Sequence, residues 1–328
     1  MDDREPNHPD GRASSDSGDL LQIVDQLTPI LGEPEGAPAP LEGGITNRNF
    51  RARFDGRDYV IRVPGKDTNL LEIDRAAERI ANERAARIGI APPVATALDD
   101  PPAIVTVFVE GRGMEAAELR EPAVRTEVAR SLRAYHELGE ALPTSFDSFR
   151  IVEIYAETAQ KRGAELPEVY EEAHAHAARI EAVLTGPEHR PVPCHNDLLA
   201  ANFIAGEASP DGAPGHLWIV DWEYAGMGDR YFDLANFAVN NELGSTGELA
   251  LLESYFAEPP NARRVATLRL MKFMSDFREA MWGVVQTALS ELDFDFVGYG
   301  REHFDRMRGT AAHSDFDTWL REAGEHTG

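Results

Sequence analysis

The fold is decided by the stretch His195-Asn196-Asp197-Leu198-Leu199-Ala200-Ala201-Asn202, which Ile219-Val220-Asp221 follows. Asp197 and Asn202 share one predicted loop, and Asp221 ends an apolar strand. A carboxylate on such a loop can accept the proton of an attacking hydroxyl group. The side-chain oxygens of Asn202 and Asp221 are hard ligands of the kind that suits Mg²⁺. His195 can be a second base, but a structural role in holding the loop is the preferred interpretation.

Candidate phosphate-binding features occur earlier in the chain. The loop Gly43-Gly44-Ile45-Thr46-Asn47-Arg48-Asn49 enters a predicted β-hairpin and can bring backbone N–H groups close to phosphates. Arg62 lies in the return strand between apolar neighbours, where a charge needs an anionic partner. Phosphate is its natural ligand, and Glu78 on the following predicted helix is its natural protein partner, with Glu83 less favoured. Together with the residues above, these are the parts that phosphoryl transfer needs.

The composition excludes several classes of function. The net charge of −25 disfavours nucleic acids and anionic membranes as partners. The same charge attracts a cationic ligand, although salt adaptation of the host explains it as well. The sequence contains no apolar run long enough to span a membrane. Cys194 is the single cysteine, which excludes a disulfide framework within the chain, and we interpret it as a small buried residue.

The order of predicted elements indicates an α+β organisation with two lobes. Residues 1–18 are polar and are expected to form a disordered tail. They lack the basic and apolar regions of a secretion signal, so we expect a cytoplasmic protein. Residues 19–110 are predicted to form a β-rich, nucleotide-binding N-lobe. Residues 111–328 are predicted to form a larger helical C-lobe that holds the catalytic and acceptor-binding residues.

Hydrophobic periodicity predicts the individual elements. Before residue 111, it predicts helices over 20–30 and 73–88, a hairpin that turns at Asp55-Gly56, and a strand over 104–109. After residue 111, it predicts short strands near 203–204 and 217–220, and helices over about 115–140, 153–162, 167–185, 231–240, 246–257 and 261–289.

The motifs around Asp197 and Asp221 resemble those of the aminoglycoside phosphotransferase and choline kinase superfamily, which has a protein-kinase-like fold. The resemblance extends from about Leu41 to about Leu289 and covers most of the chain. It implies that Asp197 is the catalytic aspartate and that Asn202 and Asp221 are magnesium ligands. The ATP-binding residues that it implies are Gly44, Thr46, Asn47, Asn49, Arg62, Glu78, Val107 and Val109.

Three further stretches resemble the choline/ethanolamine branch of this superfamily. They are Gly44-Ile45-Thr46-Asn47-Arg48-Asn49-Phe50, Asp221-Trp222-Glu223-Tyr224-Ala225 and Ala280-Met281-Trp282-Gly283-Val284-Val285-Gln286. Arg62 also agrees with this branch, which often has arginine where other branches have the phosphate-binding lysine. An arginine offers phosphate a planar fork of donors and does not lose its proton.

The same resemblance implies an acceptor site made of Glu223, Tyr224 and Trp282. Aromatic rings can surround a quaternary ammonium group and attract it by cation–π interaction. The eukaryotic enzymes carry a second tryptophan one turn before Trp282, where this chain has Glu279. Trp282 can also be an ordinary packing residue of its helix, so the identity of the acceptor stays open.

The expected activity is transfer of the γ-phosphate of ATP, with Mg²⁺, to the hydroxyl of a small cationic alcohol. Choline is the first candidate and ethanolamine the second, and the protein is expected to be a monomer or a homodimer. One alternative is an aminoglycoside or other small-molecule kinase on the same fold, against which Arg62 and Trp282 argue. Another is a catalytically inactive, kinase-like binding module, although every chemical position is filled.

Overall fold

The computed structural model describes residues 10–41, 47–65, 68–186, 189–207, 215–290 and 292–325, with the backbone alone for residues 10–17 and 68–69. The chain forms two compact units. Met1–Lys66 and Pro92–Val109 form the first unit, and Asp67–Ala91 and Glu110–Gly328 form the second unit. Residues 67–91, which were expected in the N-lobe, belong to the second unit because apolar side chains such as Ala81 and Ala85 are buried in its core.

The first unit is built around an antiparallel sheet. Its described strands are β1 (Ala39–Leu41), β2 (Asn47–Phe54), β3 (Arg57–Pro64), β4 (Val94–Asp99) and β5 (Pro102–Val107). They lie side by side in the order β1-β2-β3-β5-β4. β2 and β3 form the predicted hairpin, and Gly56 at its turn has a φ angle of 78°, which glycine adopts without strain.

Helix α1 (Asp10–Leu31) also belongs to the first unit. Its residues Ile23 and Leu27 are fully buried in a core with Phe54, Ile61 and Val105. The helix begins before residue 18, the predicted end of the disordered tail. Once one turn is held by packing, extending a helix is easier than starting one, so the helix continues beyond its packed residues.

The second unit is mostly helical. Its described helices are α2 (Arg75–Arg87), α3 (Ala116–Leu119), α4 (Pro122–His136), α5 (Ser148–Lys161), α6 (Tyr170–Leu184), α7 (Arg230–Asn240), α8 (Ser245–Phe256), α9 (Ala262–Leu289), α10 (Phe296–Ala311) and α11 (Phe316–Gly324). The sequence pattern did not predict α10 and α11. The sequence pattern predicts that α5 begins at residue 153. The helix begins earlier, at Ser148, because the side chain of Asp147 caps it there.

Short strands in the second unit position the motifs. They are β6 (Gly111–Gly113), β7 (Val192–Cys194), β8 (Phe203–Gly206), β9 (Leu217–Ile219) and β10 (Gly226–Gly228). β8 lies between β6 and β9, and β7 pairs with β10. The stretch from His195 to Asn202 therefore connects β7 to β8, and Asp221 follows β9. No helix within the described ranges is long and apolar enough to cross a membrane.

Candidate active site

The backbone of residues 195–198 is held by two polar side chains of α7. Asp233 accepts hydrogen bonds from the backbone N–H groups of His195, at 2.8 Å, and Asn196, at 2.7 Å. Asn236 accepts another from the N–H of Leu198, at 2.5 Å. Both residues are fully buried, and sequence reasoning missed them, although polar residues between apolar neighbours in a predicted helix are a signal of such a role.

His195 is a structural residue of this loop. Its Nδ1 accepts a hydrogen bond from the backbone N–H of Asp197 at 3.2 Å, and its Nε2 donates to the carbonyl of Val220 at 3.0 Å. The ring also packs edge-on against Trp222, with the centroids 4.6 Å apart. Because both ring nitrogens are bonded to the backbone, the geometry agrees with the preferred interpretation of His195.

Asn202 is fixed beside Asp197. The Nδ2 atom of Asn202 donates to the backbone carbonyl of Asp197 at 2.8 Å and to its Oδ2 at 3.1 Å. Since the amide nitrogen is held in this way, the amide presents its oxygen elsewhere. The backbone carbonyl of Asn202 accepts from Val220, at 2.9 Å, which brings the residue before Asp221 to the same loop.

The carboxylate of Asp197 lies in a buried, negatively charged environment. Burial is the largest effect and raises the pKa of Asp197 to about 8. Arg278 opposes this rise, whereas the carboxylates of Glu279, Asp221 and Glu223 add to it. A nearby cation would favour the ionised form, and the oxygen donors of Asn202 and Asp221 are ligands that Mg²⁺ prefers. This donor set therefore fits the metal that the sequence predicts.

Asp221 has an unusual backbone conformation. Its φ angle is 67°, in the left-handed region that few residues other than glycine adopt. Asn196, on the loop between β7 and β8, has the same φ angle. The neighbouring Trp222 is fully buried and its Nε1 donates to the carbonyl of Ile219 at 3.1 Å. Packing thus holds the backbone in a conformation that functional sites often contain.

Glu78 and Glu223 are joined by an arginine that sequence reasoning missed. The Nη1 atom of Arg75 lies 2.6 Å from Oε2 of Glu78 and 3.1 Å from Oε2 of Glu223. Both carboxylates are buried, so their ion pairs with Arg75 compensate for lost hydration. Glu83, the less favoured candidate, forms a partly exposed pair with Arg79 at 3.0 Å on the same helix.

Several predicted ATP-binding residues of the first unit lie on its strands β2, β3 and β5. Asn49 on β2 is the cross-strand partner of Arg62 on β3. Val107 ends β5, and its N–H donates to Pro93 at 2.8 Å. Asn47 lies at the start of β2, and Val109 lies at the end of the unit, after β5. Gly44 and Thr46 lie outside the described residues, so the expected phosphate loop is described only from Asn47 onward.

Tyr224 and Trp282 are brought together, and both side chains are mostly buried. The Nε1 atom of Trp282 donates to the hydroxyl of Tyr224 at 3.0 Å. The guanidinium carbon of Arg278 lies 4.3 Å from the centroid of the Tyr224 ring. Trp282 packs edge-on against Phe296 and Tyr299. A cation does lie over Tyr224, but it is an arginine of the protein itself.

The comparisons with known proteins agree with these motifs. The Choline/ethanolamine kinase family model matches residues 39–246. Ethanolamine kinase 2 from Homo sapiens is 27% identical over 314 residues, which cover 87% of this chain and 79% of the human protein. A probable ethanolamine kinase from Arabidopsis thaliana is 24% identical over 317 residues, with 85% and 82% of the two chains covered.

Solved structures show the same fold. A choline/ethanolamine kinase family protein from Mesorhizobium loti matches with a TM-score of 0.77 and 25% identity, covering 95% of this chain and 99% of that one. Choline kinase LicA from Streptococcus pneumoniae matches with a TM-score of 0.73 and 24% identity, covering 89% of this chain and 99% of that one. An aminoglycoside 2'-phosphotransferase matches with a TM-score of 0.62 and 13% identity, which is a likeness of fold alone.

These matches confirm the predicted α+β, protein-kinase-like fold. Since the family model matches more than half of its residues, this chain belongs to the choline/ethanolamine kinase family.

Proposed function

We propose that the protein transfers the γ-phosphate of ATP, in the presence of Mg²⁺, to the hydroxyl group of a small amino alcohol. The observation that carries this proposal is the arrangement around Asp197. Its carboxylate accepts hydrogen bonds from Asn202 and Arg278, on a loop whose backbone Asp233 holds. A carboxylate fixed in this way can accept a hydroxyl proton without first having to be ordered.

Each residue of the cluster has a role in the proposal. Asp197 orients the acceptor hydroxyl and takes its proton as the oxygen attacks. Asn202 and Asp221 would hold Mg²⁺ through their side-chain oxygens. The metal, when bound, supplies positive charge that neutralises the phosphate oxygens. Arg62 and Asn49 in the first unit remain the proposed phosphate-binding residues, and Val107 and Val109 the proposed neighbours of the adenine.

The order of the two expected acceptors changes on structural grounds. Sequence features rank choline before ethanolamine because aromatic residues suit a quaternary ammonium. In the structure, one face of the Tyr224 ring is already covered by the guanidinium group of Arg278. A quaternary ammonium cannot donate hydrogen bonds, so nearby carboxylates can offset the like charge only through Coulomb attraction. We therefore place ethanolamine, whose primary ammonium can donate to carboxylates, before choline.

The proposal is tested by measuring ADP release and phosphorylated product with ATP and Mg²⁺ across a panel of amino alcohols, aminoglycosides and sugars. We expect phosphorylation of at least one small amino alcohol and none of the aminoglycosides. The matched control is Asp197→Asn, which should bind ATP but form phosphorylated acceptor at least about 10²-fold more slowly. Turnover of aminoglycosides alone, or product formation by Asp197→Asn at the normal rate, would contradict the proposal.

A further inference from the structure

Arg278 is a buried cation at the centre of the candidate site. It lies on α9 and is 1% exposed, although arginine is rarely buried without partners. Its Nη1 atom lies 2.8 Å from Oε1 of Glu279 and 3.4 Å from Oδ1 of Asp197. An acceptor whose hydroxyl reaches Asp197 therefore comes close to the guanidinium group of Arg278.

Glu279 holds Arg278 in place and is itself fully engaged by the protein. Besides Arg278, its carboxylate accepts hydrogen bonds from Asn236 at 3.2 Å and from the hydroxyl of Tyr299 at 2.8 Å. Burial alone would raise the pKa of Glu279, but Arg278 and then His303 outweigh it, and the pKa lies below its ordinary value. Glu279 is thus an ionised partner for Arg278 and has little capacity left for a ligand.

The other edge of the guanidinium group is not satisfied by the protein. Across the part of the chain that the structure describes, the buried Nε and Nη2 atoms of Arg278 have no hydrogen-bond partner. Buried polar groups in native proteins are almost always paired, and an orphaned one often marks a ligand. The Nε and Nη2 edge of an arginine is the fork that binds both oxygens of a carboxylate.

The guanidinium group itself disfavours a cationic ligand at this edge. The Tyr224 ring, which the sequence predicts as a wall of an ammonium site, is covered by the guanidinium at 4.3 Å. The hydroxyl of Tyr224 already accepts from Trp282. A ligand that reaches this edge meets a positive charge and unsatisfied donors, so oxygen atoms with negative charge complement the guanidinium group better than methyl groups on nitrogen do.

We propose that Arg278 is an acceptor-binding residue and that the preferred acceptor carries a carboxylate next to its amino alcohol, as a hydroxylated amino acid does. The inference rests on the proposed function and names the acceptor of that same site. The carboxylate pairs with Nε and Nη2 of Arg278, and the hydroxyl lies at Asp197. Glu279 keeps the guanidinium group oriented between them.

Matched pairs of acceptors test this proposal in the wild-type protein. Ethanolamine is compared with L-serine, 3-aminopropanol with L-homoserine, and choline with L-carnitine, because each pair differs by a carboxylate-bearing substituent. We expect kcat/KM to be higher for the carboxylate member of at least one pair by about tenfold or more, since a site built to bind a polar group rejects analogues that lack it. Higher kcat/KM for every parent amino alcohol would overturn the inference while leaving the proposed function intact.

A variant locates the effect at Arg278. Arg278→Gln keeps a polar side chain but removes the charged fork, and its folding is checked by thermal unfolding. The ratio of kcat/KM within each pair should fall to about one, whereas Arg301→Gln, on the exposed face of α10, should leave the ratio unchanged. If Arg278→Gln slows all acceptors by the same factor, Arg278 acts on the transferred phosphoryl group or on Asp197, and the inference is wrong.

Calorimetric binding of the same compounds separates this inference from the proposed function. Tighter binding of the carboxylate members to the wild-type protein, lost in Arg278→Gln, supports the inference even if no compound is phosphorylated, in which case the proposed function fails alone. Equal or weaker binding of the carboxylate members would overturn the inference whether or not the enzyme turns over.

Discussion

Asp197 combines a buried carboxylate with two side-chain hydrogen-bond donors, Asn202 and Arg278. Replacing it by asparagine keeps the shape and removes the base. We expect Asp197→Asn to lower kcat by roughly 10²- to 10⁴-fold, the usual contribution of a positioned base. ATP binding, measured by calorimetry, should be retained. Asp99→Asn, on an exposed strand end, is the matched control and should change neither quantity. Unchanged kcat in Asp197→Asn would remove Asp197 from the mechanism.

Asp233 is a second residue whose substitution should have a large effect, in this case on stability. Its Oδ2 accepts hydrogen bonds from the N–H of His195 and from Nε2 of His136, and its Oδ1 accepts from the N–H of Asn196. An asparagine has one oxygen and would leave at least one of these buried donors without an acceptor, which costs about 1–3 kcal/mol.

Urea denaturation of Asp233→Asn measures this loss in the free energy of unfolding. Asp305→Asn provides the control because Asp305 is exposed on α10. A free energy of unfolding within about 0.5 kcal/mol of the wild type would show that the anchoring of the catalytic loop does not depend on Asp233.

At the scale of elements, α9 and α10 approach each other through two glycines. A Cβ atom at Gly283 would lie 3.0 Å from the carbonyl oxygen of Phe296 and 3.1 Å from the Cα of Gly300. Because both neighbours are backbone atoms, the helices would have to move apart. We expect Gly283→Ala to destabilise the protein by about 1–3 kcal/mol, the usual effect of overpacking.

The control for this prediction is Gly309→Ala in α10, where an added Cβ meets nothing within 4 Å. It should be neutral or stabilising by about 0.5–1 kcal/mol, because alanine favours helix. Thermal unfolding of both variants provides the comparison. Equal effects of the two substitutions would show that the close approach of α9 and α10 is not required.

The start of α7 carries a pH-dependent contact. Asp229 caps the helix by accepting from the N–H of Tyr231 at 2.7 Å, and its Oδ2 lies 3.1 Å from Nε2 of His189. The hydrogen bond to Asp229 is the main reason that the pKa of His189 is raised above its ordinary value. The folded state therefore holds this proton more tightly than the unfolded state does.

The stabilisation from this contact is fully present below the unfolded pKa of about 6.5 and is lost as the pH rises through the folded pKa. We expect His189→Gln to lower the free energy of unfolding at about pH 6 and to have little effect at about pH 9. Urea denaturation at both pH values tests this, and a larger effect at the alkaline pH would contradict it.

Many elements could be predicted from local pattern, and those that were missed depend on distant contacts. The β2–β3 hairpin and α2 were predicted because alternation, the Asp55-Gly56 turn and Gly89 after the helix are local signals. β6, β7 and β10 have three residues each, and pairing rather than propensity makes them strands.

At the scale of the whole molecule, the excess of acidic residues should make stability depend on salt. The chain has 57 acidic and 32 lysine or arginine residues, so repulsion between like charges opposes the compact state. Raising the ionic strength from about 0.01 M to about 0.15 M shortens the screening length from roughly 30 Å to roughly 8 Å. We expect the unfolding temperature to rise over this range with NaCl and equally with KCl. A fall would show that screening of ion pairs outweighs screening of repulsion.

The candidate site was predictable in part. Asp197, Asn202 and Asp221 belong to short motifs, so they can be predicted as candidate site residues from the sequence alone. Arg75 and Arg278 were missed because their partners are remote: Arg75 and Glu223 are separated by 148 positions, and Arg278 and Asp197 by 81. Only the packing of the second unit brings them together, and no local spacing predicts such contacts.

The buried pair of Arg278 and Glu279 also constrains how this site can evolve. Losing either residue alone removes the nearest charge partner of the other, and breaking a buried ion pair typically costs about 3–5 kcal/mol. Changing both together can be nearly neutral, so the effects of the two substitutions are not additive. This non-additivity is epistasis, and it makes changes of acceptor preference at this site slow. A lineage that exchanges the pair for an aromatic lining must pass through a destabilised protein or acquire both changes at once. The same holds for the reverse exchange.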